Sequence, residues 1–134
     1  MAGYSGRSLV EKLGIKPRTR IAIVDPPRGF RATLGKLPDG VTVASRLSGS
    51  YPFIHVFTRS RAVLEAKLPG LLRALETDGT LWVSWPKQRS GLATDITENV
   101  VRAVALPTGL VDVKVAAVDD VWSGLKLVRR RKNR

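Results

Sequence analysis

The chain holds one histidine and no cysteine, which narrows the chemistry open to it. Without cysteine there is no thiol nucleophile, no disulfide framework and no cysteine–zinc site. His55 stands in Phe53-Ile54-His55-Val56-Phe57. On a strand it shares a face with the two phenylalanines, so it reads as a packed histidine rather than a catalytic base. No Gly-x-Ser-x-Gly elbow marks a serine hydrolase. Asp112, Asp119 and Asp120 gather near the C-terminal end, but with no histidine beside them and no calcium-loop spacing. No catalytic residue and no metal site are assigned.

Anion binding is the chemistry the residue types favour. Twenty-three lysines and arginines face eleven acids, for a net charge of +12. Such a balance suits a nucleotide or nucleic-acid partner. Four short polar stretches each follow an apolar run: Asp25 to Gly29, Ser45-Arg46, Thr58-Arg59-Ser60, and Trp85-Pro86-Lys87 with Arg89. If the runs are parallel strands, these stretches share the carboxyl rim of one sheet, where ligands of open α/β sheets sit. Asp25, Arg28, Gly29, Arg46, Arg59, Ser60, Trp85, Lys87 and Arg89 are therefore the expected ligand-binding residues. The arginine forks suit phosphate or carboxylate, and Trp85 suits a stacked base. Trp82 and Trp122 read as core. Arg129, Arg130, Arg131 and Lys132 form a basic tail, read either as a reach toward nucleic-acid phosphates or as a solvated end.

Those positions need a scaffold. Ser8-Leu9-Val10-Glu11 has capping-box spacing and predicts a short helix ended by Gly14. Arg20 to Asp25 predicts a strand buried on both faces, closed by Pro26-Pro27. A helix over Phe30 to Leu37 and strands at Val41 to Ala44 and Phe53 to Phe57 follow. Ser60 caps a helix to about Leu75 with leucines at helical spacing, unsettled by Pro69-Gly70. Asp78-Gly79 predicts a turn into a fourth strand, Thr80 to Trp85. Asp95 and Glu98 predict a capped helix carrying Ile96, Val100, Val101 and Val104. Strands from Val111 to Val118 and Leu125 to Arg129 close the chain as an antiparallel hairpin.

The expected fold is therefore α/β: a Rossmann-like three-layer sandwich with a mostly parallel sheet of about six strands and a C-terminal antiparallel hairpin. The 134 residues predict a single domain, 1–134, with 129–134 a flexible basic tail. No apolar run reaches the ~20 residues of a bilayer span, and the start lacks a signal-peptide core, so a cytoplasmic domain without membrane partners is expected.

Leu13 to Asp25, with its Lys16-Pro17 turn before the first strand, resembles the entry to class I S-adenosylmethionine-dependent methyltransferases. Leu72 to Val83, with Thr77-Asp78-Gly79-Thr80, resembles that family's helix, glycine turn and fifth strand. The closing hairpin has its order too. The resemblance implies a methyltransferase-like strand order. Asp25-Pro26-Pro27 also resembles the Asp-Pro-Pro-aromatic loop of amino-group methyltransferases, with Arg28 in place of the aromatic. A second resemblance is to an uncharacterised bacterial family known only as a domain of unknown function, number three-zero-five-two. It rests on Met1 to Gly6, Trp85-Pro86-Lys87, Thr94-Asp95, Gly109 to Asp112, Lys114-Val115 and Trp122 to Lys126, and it implies no activity.

The loop after the first strand departs from the methyltransferase pattern. Pro26 and Pro27 remove two backbone donors where a glycine-rich turn would supply them. Arg46 stands where an acid would accept ribose hydroxyls. S-adenosylmethionine is accordingly not expected, nor NAD, and no cofactor is predicted. The expected function is a non-catalytic module binding an anionic ligand, nucleotide or nucleic acid. The alternatives are a divergent S-adenosylmethionine-dependent methyltransferase and a protein-interaction subunit.

Overall fold

In the computed structural model, which describes residues 7–133, the first element is fixed by the capping box. Ser8 Oγ accepts from the Glu11 N–H and the Glu11 carboxylate accepts from the Ser8 N–H, which starts α1 (Leu9–Leu13); Gly14, at φ 83°, ends it. Then come β1 (Arg20–Val24), α2 (Phe30–Leu34), β2 (Thr42–Ala44), β3 (Tyr51–Phe57), α3 (Arg61–Ala74), β4 (Leu75–Pro86), α4 (Glu98–Ala105), β5 (Leu110–Ala117) and β6 (Trp122–Arg129). Residues 1–6, which carry part of the second resemblance, and residue 134 of the basic tail lie outside the described residues.

The six strands form one sheet in the order β2-β1-β3-β4-β6-β5. β2, β1, β3 and β4 are parallel; β6 runs antiparallel to both β4 and β5. Strand alternation divides the core in two. Ala22, Ile54, Val56, Leu81, Val83, Leu125 and Leu127 pack with α3 and α4. Ile21, Ile23, Phe53, Phe57, Trp82 and Trp122 pack with α1 and α2. The expected three-layer α/β architecture with an antiparallel hairpin is the observed one.

Several details differ from the sequence reading. Asp78-Gly79 makes no turn between elements. Ala74 ends α3, Leu75 begins β4, and β4 runs on for twelve residues. The register against β3 shows why: Tyr51 pairs with Leu75 and Phe53 with Thr80, so the extra residues of β4 bulge within the ladder. Gly79 is needed there because a Cβ would lie 3.2 Å from the Pro52 carbonyl and 3.0 Å from that of Glu76. Pro69 is carried inside an unbroken α3. α4 is capped by Thr97 Oγ1 on the Val100 N–H, not by Asp95, whose carboxylate accepts from the Arg61 N–H at the start of α3. Arg102 ties α4 to the edge strand through Asp112 at 2.9 Å and holds that carboxyl below its usual range.

The passage from β2 to β3 is only residues 45–50 and contains no helix. It is pinned from below. The buried Tyr51 hydroxyl lies 3.0–3.1 Å from the Ser48 N–H and from the Ser48 and Arg46 carbonyls. The Arg20 guanidinium sits 4.1 Å over the Tyr51 ring and donates to the Ser50 carbonyl at 3.0 Å.

Arg129 is not part of a tail. It is the last residue of β6, and its guanidinium donates to the Leu72 and Leu75 carbonyls at 2.6 and 2.9 Å. Residues Arg131–Asn133 form a single 3-10 turn rather than a featureless end. Among the described residues no helix is long and apolar enough to cross a membrane.

Candidate functional site

β1 and β3 lie side by side, and their carboxyl ends open into a cleft of about 500 Å³. Phe57, the last residue of β3, and Trp122, the first of β6, meet edge-to-face at 5.3 Å and line it. Both side chains are otherwise buried, so the cleft exposes only part of each aromatic surface. Asp25, Pro27, Arg59 and Ser60 stand around it. Thr58 also lines it, and Val63 and Leu92 complete the lining at 42% and 39% exposure. They are two of the four large hydrophobic side chains exposed among the described residues, which makes the mouth of this cleft unusually apolar for open surface.

Local backbone explains how the polar residues get there. Asp25 follows β1 at φ 54°, a left-handed conformation that aspartate tolerates better than most residues. Its carboxylate pairs with Lys67 of α3. Pro26 and Pro27 then turn the chain away from the sheet, and Gly29 at φ 83° admits the start of α2. Thr58 Oγ1 accepts from the Ser60 N–H, and Ser60 Oγ accepts from the Val63 N–H, so the loop after β3 leads directly into α3. Arg59 Nε donates to the Ala93 carbonyl at 2.9 Å and Thr94 Oγ1 to the Arg59 carbonyl at 2.8 Å, which ties the two walls together.

Of the nine residues expected to bind a ligand, Asp25, Arg59 and Ser60 line this cleft. The other positions do not converge on it. Trp85 is only 6% exposed and packs in the α3–α4 core, because β4 continues through Pro86 and places Trp85 on the same face as Leu81 and Val83. Lys87 is held by the loop between β5 and β6: its N–H donates to the Val121 carbonyl and its ammonium to the Asp119 carbonyl, both at 2.7 Å. Arg46 lines a different cavity, of about 380 Å³, with Lys67 and Arg73 of α3. Arg28 and Arg89 are exposed on the β1–α2 turn and the 3-10 turn after β4, and Gly29 serves as the backbone cap of α2.

Phe57, Val63, Leu92 and Trp122 escaped the sequence reading as lining residues. Leu92 carried a signal, an apolar residue in the otherwise polar stretch from Lys87 to Ala93. Trp122 carried none, since a tryptophan opening a strand looks the same whether it lines a cleft or fills a core.

Behind Phe57 lies His55, ring centroids 4.2 Å apart and stacked. His55 Nε2 is 2.7 Å from Ser84 Oγ on β4, and both are sealed from solvent. Burial pushes the imidazole pKa down to about 3, so it is neutral at ordinary pH. It supports the floor and does not reach the cleft. Asp112 and Asp119 are likewise spoken for, by Arg102 and by the Val121 and Trp122 N–H groups.

No family model and no curated protein matches the chain, so membership in the uncharacterised bacterial family is not shown. Solved structures do match. A S-adenosylmethionine-dependent methyltransferase from Aquifex aeolicus superposes with a TM-score of 0.63 at 14% identity, over 89% of this chain and 86% of its own. The ribosomal protein L11 methylase of Lactobacillus delbrueckii subsp. bulgaricus gives 0.61 at 13%, over 92% and 75%. The magnesium protoporphyrin IX methyltransferase of Synechocystis PCC 6803, with bound S-adenosylmethionine, gives 0.57 at 12%, over 90% and 74%. The expectation that S-adenosylmethionine is unlikely is thereby overturned: chains of this fold hold it, and the prolines after β1 remove backbone donors without closing the cleft. At these identities the likeness is one of architecture, and the chain has the Rossmann-like fold of class I S-adenosylmethionine-dependent methyltransferases.

Proposed function

We propose that this protein is a divergent S-adenosylmethionine-dependent methyltransferase working at the cleft beside the ends of β1 and β3. The observation that carries the reading is the cleft itself, with its aromatic lining and apolar mouth, at the carboxyl edge of a sheet of this fold.

The residues present fit the cofactor. A cleft of about 500 Å³ lies in the size range of small-molecule sites. Phe57 and Trp122 offer aromatic surface to a sulfonium cation or a purine. Arg59, engaged through Nε alone, presents the rest of its fork to a carboxylate. Asp25 presents acceptors to a hydroxyl or an ammonium. When bound, the cofactor supplies an electrophilic methyl group. Val63 and Leu92 offer apolar surface at the mouth, and Asp25, the one carboxylate in the lining, would take a proton from an attacking nucleophile on release from its pair with Lys67. Because Pro26 and Pro27 donate no hydrogen bonds, recognition here rests on side chains more than on backbone.

Calorimetric titration with S-adenosylmethionine and with its demethylated product tests this. Binding at micromolar to sub-millimolar concentration is expected, together with a change in tryptophan fluorescence from Trp122. Arg59→Glu should weaken it at least tenfold, with the chain still folded despite the lost bond to the Ala93 carbonyl. No heat of binding up to millimolar cofactor would overturn the reading.

A further inference from the structure

The pairing of β5 with β6 sets Lys114 directly opposite Lys126, one exposed and one half-buried on the sheet face that carries α1. Like charges directly opposed across an antiparallel pair destabilise it. Among the described residues neither lysine has an ion-pair partner. Lys16, in the turn after α1, adds a third positive charge that acts on Lys126 together with Lys114. Lys12 of α1 reaches the same hairpin, donating to the Ala117 carbonyl at 3.0 Å.

The acids that the structure pairs are engaged elsewhere. Asp25 is on Lys67, Glu65 on Arg61, Glu98 and Asp112 on Arg102, and Asp119 on two backbone N–H groups. Arg130, Arg131 and Lys132, all exposed, follow β6 directly; Lys126 and Arg130 are four residues apart, about 13 Å along an extended chain. Lys16, Lys114 and Lys126 thus cluster at the hairpin, and the Arg130–Lys132 run continues from its last strand. A small anion would meet only its nearest few. A polymer with charges at regular spacing would meet several at once.

We infer that the α1-side face of the β5–β6 hairpin, with Lys16, Lys114, Lys126 and the Arg130–Lys132 run, is a binding surface for the phosphodiester backbone of nucleic acid. It stands on the charge arrangement alone and does not depend on methyl transfer at the cleft. An anionic membrane is the partner the test must separate from it: Val115 pairs with Leu125 and so faces α4, while Val113 stands in the register shift beside Lys114.

The test is fluorescence anisotropy of the full chain with a labelled 20-nucleotide single-stranded oligonucleotide across a salt series, beside vesicles of phosphatidylserine. Lys114→Gln/Lys126→Gln should lose about tenfold in affinity at low salt, and its logarithmic salt slope should flatten by about 1.4, that is 0.7 for each phosphate contact removed. Without ligand the same variant should melt at or above the wild-type temperature, because the repulsion is gone. Arg31→Gln/Lys36→Gln, an equal charge change at exposed positions of and beside α2, should leave the slope as in wild type. Equal losses from both pairs, unchanged binding by the lysine variant, or tighter binding to the vesicles than to the oligonucleotide would each overturn the inference.

Discussion

His55 and Ser84 face each other across β3 and β4, with Nε2 and Oγ 2.7 Å apart and neither open to water. Since burial holds the folded-state pKa near 3 against about 6.5 unfolded, the unfolded chain takes up the proton first as pH falls. Stability is therefore undiminished above pH 6.5 and declines below it until pH approaches 3. Between pH 6.5 and 5 the loss from this one group is about 2 kcal/mol. Urea unfolding at the two pH values, wild type against His55→Gln, isolates it: the variant should lose less than wild type. A histidine ring signal titrating near pH 6.5 in the native protein would contradict it.

Gly124 of β6 pairs with Ser84 and lies against the Trp82 ring. A Cβ there would stand 3.0 Å from Ser84 Oγ and 3.1 Å from Trp82 Cε3. Trp82 has nowhere to move, since its indole N–H donates to the Leu13 carbonyl at 2.9 Å and it is fully buried. Gly124→Ala should cost about 1–3 kcal/mol, read as a lower melting temperature with altered near-ultraviolet dichroism.

Arg129 and its neighbours should behave as different kinds of residue. Arg129→Met removes the donors to the Leu72 and Leu75 carbonyls and should destabilise by about 1–3 kcal/mol. Arg130→Ala and Lys132→Ala, both exposed, should stay within about 0.5 kcal/mol. Thermal melts of the three variants suffice to check it.

Asp25 sits at φ 54°, where a Cβ is strained. Asp25→Gly and Asp25→Ala both lose the exposed pair with Lys67, but only alanine keeps the strain. The glycine variant should be the more stable of the two by about 1 kcal/mol. Equal stability would show that the strain is relieved locally.

The scaffold was legible because two periodicities report it. Apolar runs such as Ile21 to Val24 and the leucines of α3 leave few alternatives, and Ser8 with Glu11 announces a helix start on purely local grounds. Thr97 and Asp95 are both cap residues two positions apart, and what decided between them was Arg61, thirty-odd residues earlier, whose N–H claimed the aspartate. Asp78-Gly79 did mark an irregularity, but whether it turns the chain or bulges within a ladder depends on what β3 offers opposite. The site was harder. Loop arginines sharing a rim need not share a direction, and Arg46 and Arg59 end at different cavities. Trp85 was read as rim because its strand was ended one residue early; with Pro86 included, alternation alone sends it into the core.

The position of β6 between β4 and β5 has a consequence for how the protein is made. Among the described residues β5 has no neighbour in the sheet other than β6, yet it is synthesised first. Until Trp122 to Arg129 have emerged, β5 has no ladder to join, β4 shows an unpaired edge, and Arg129 is not yet there to hold the carbonyls where α3 passes into β4. The nascent chain therefore carries Val113 and Val115 on an orphaned strand, and the sheet closes in one late event when its last-made strand enters its interior.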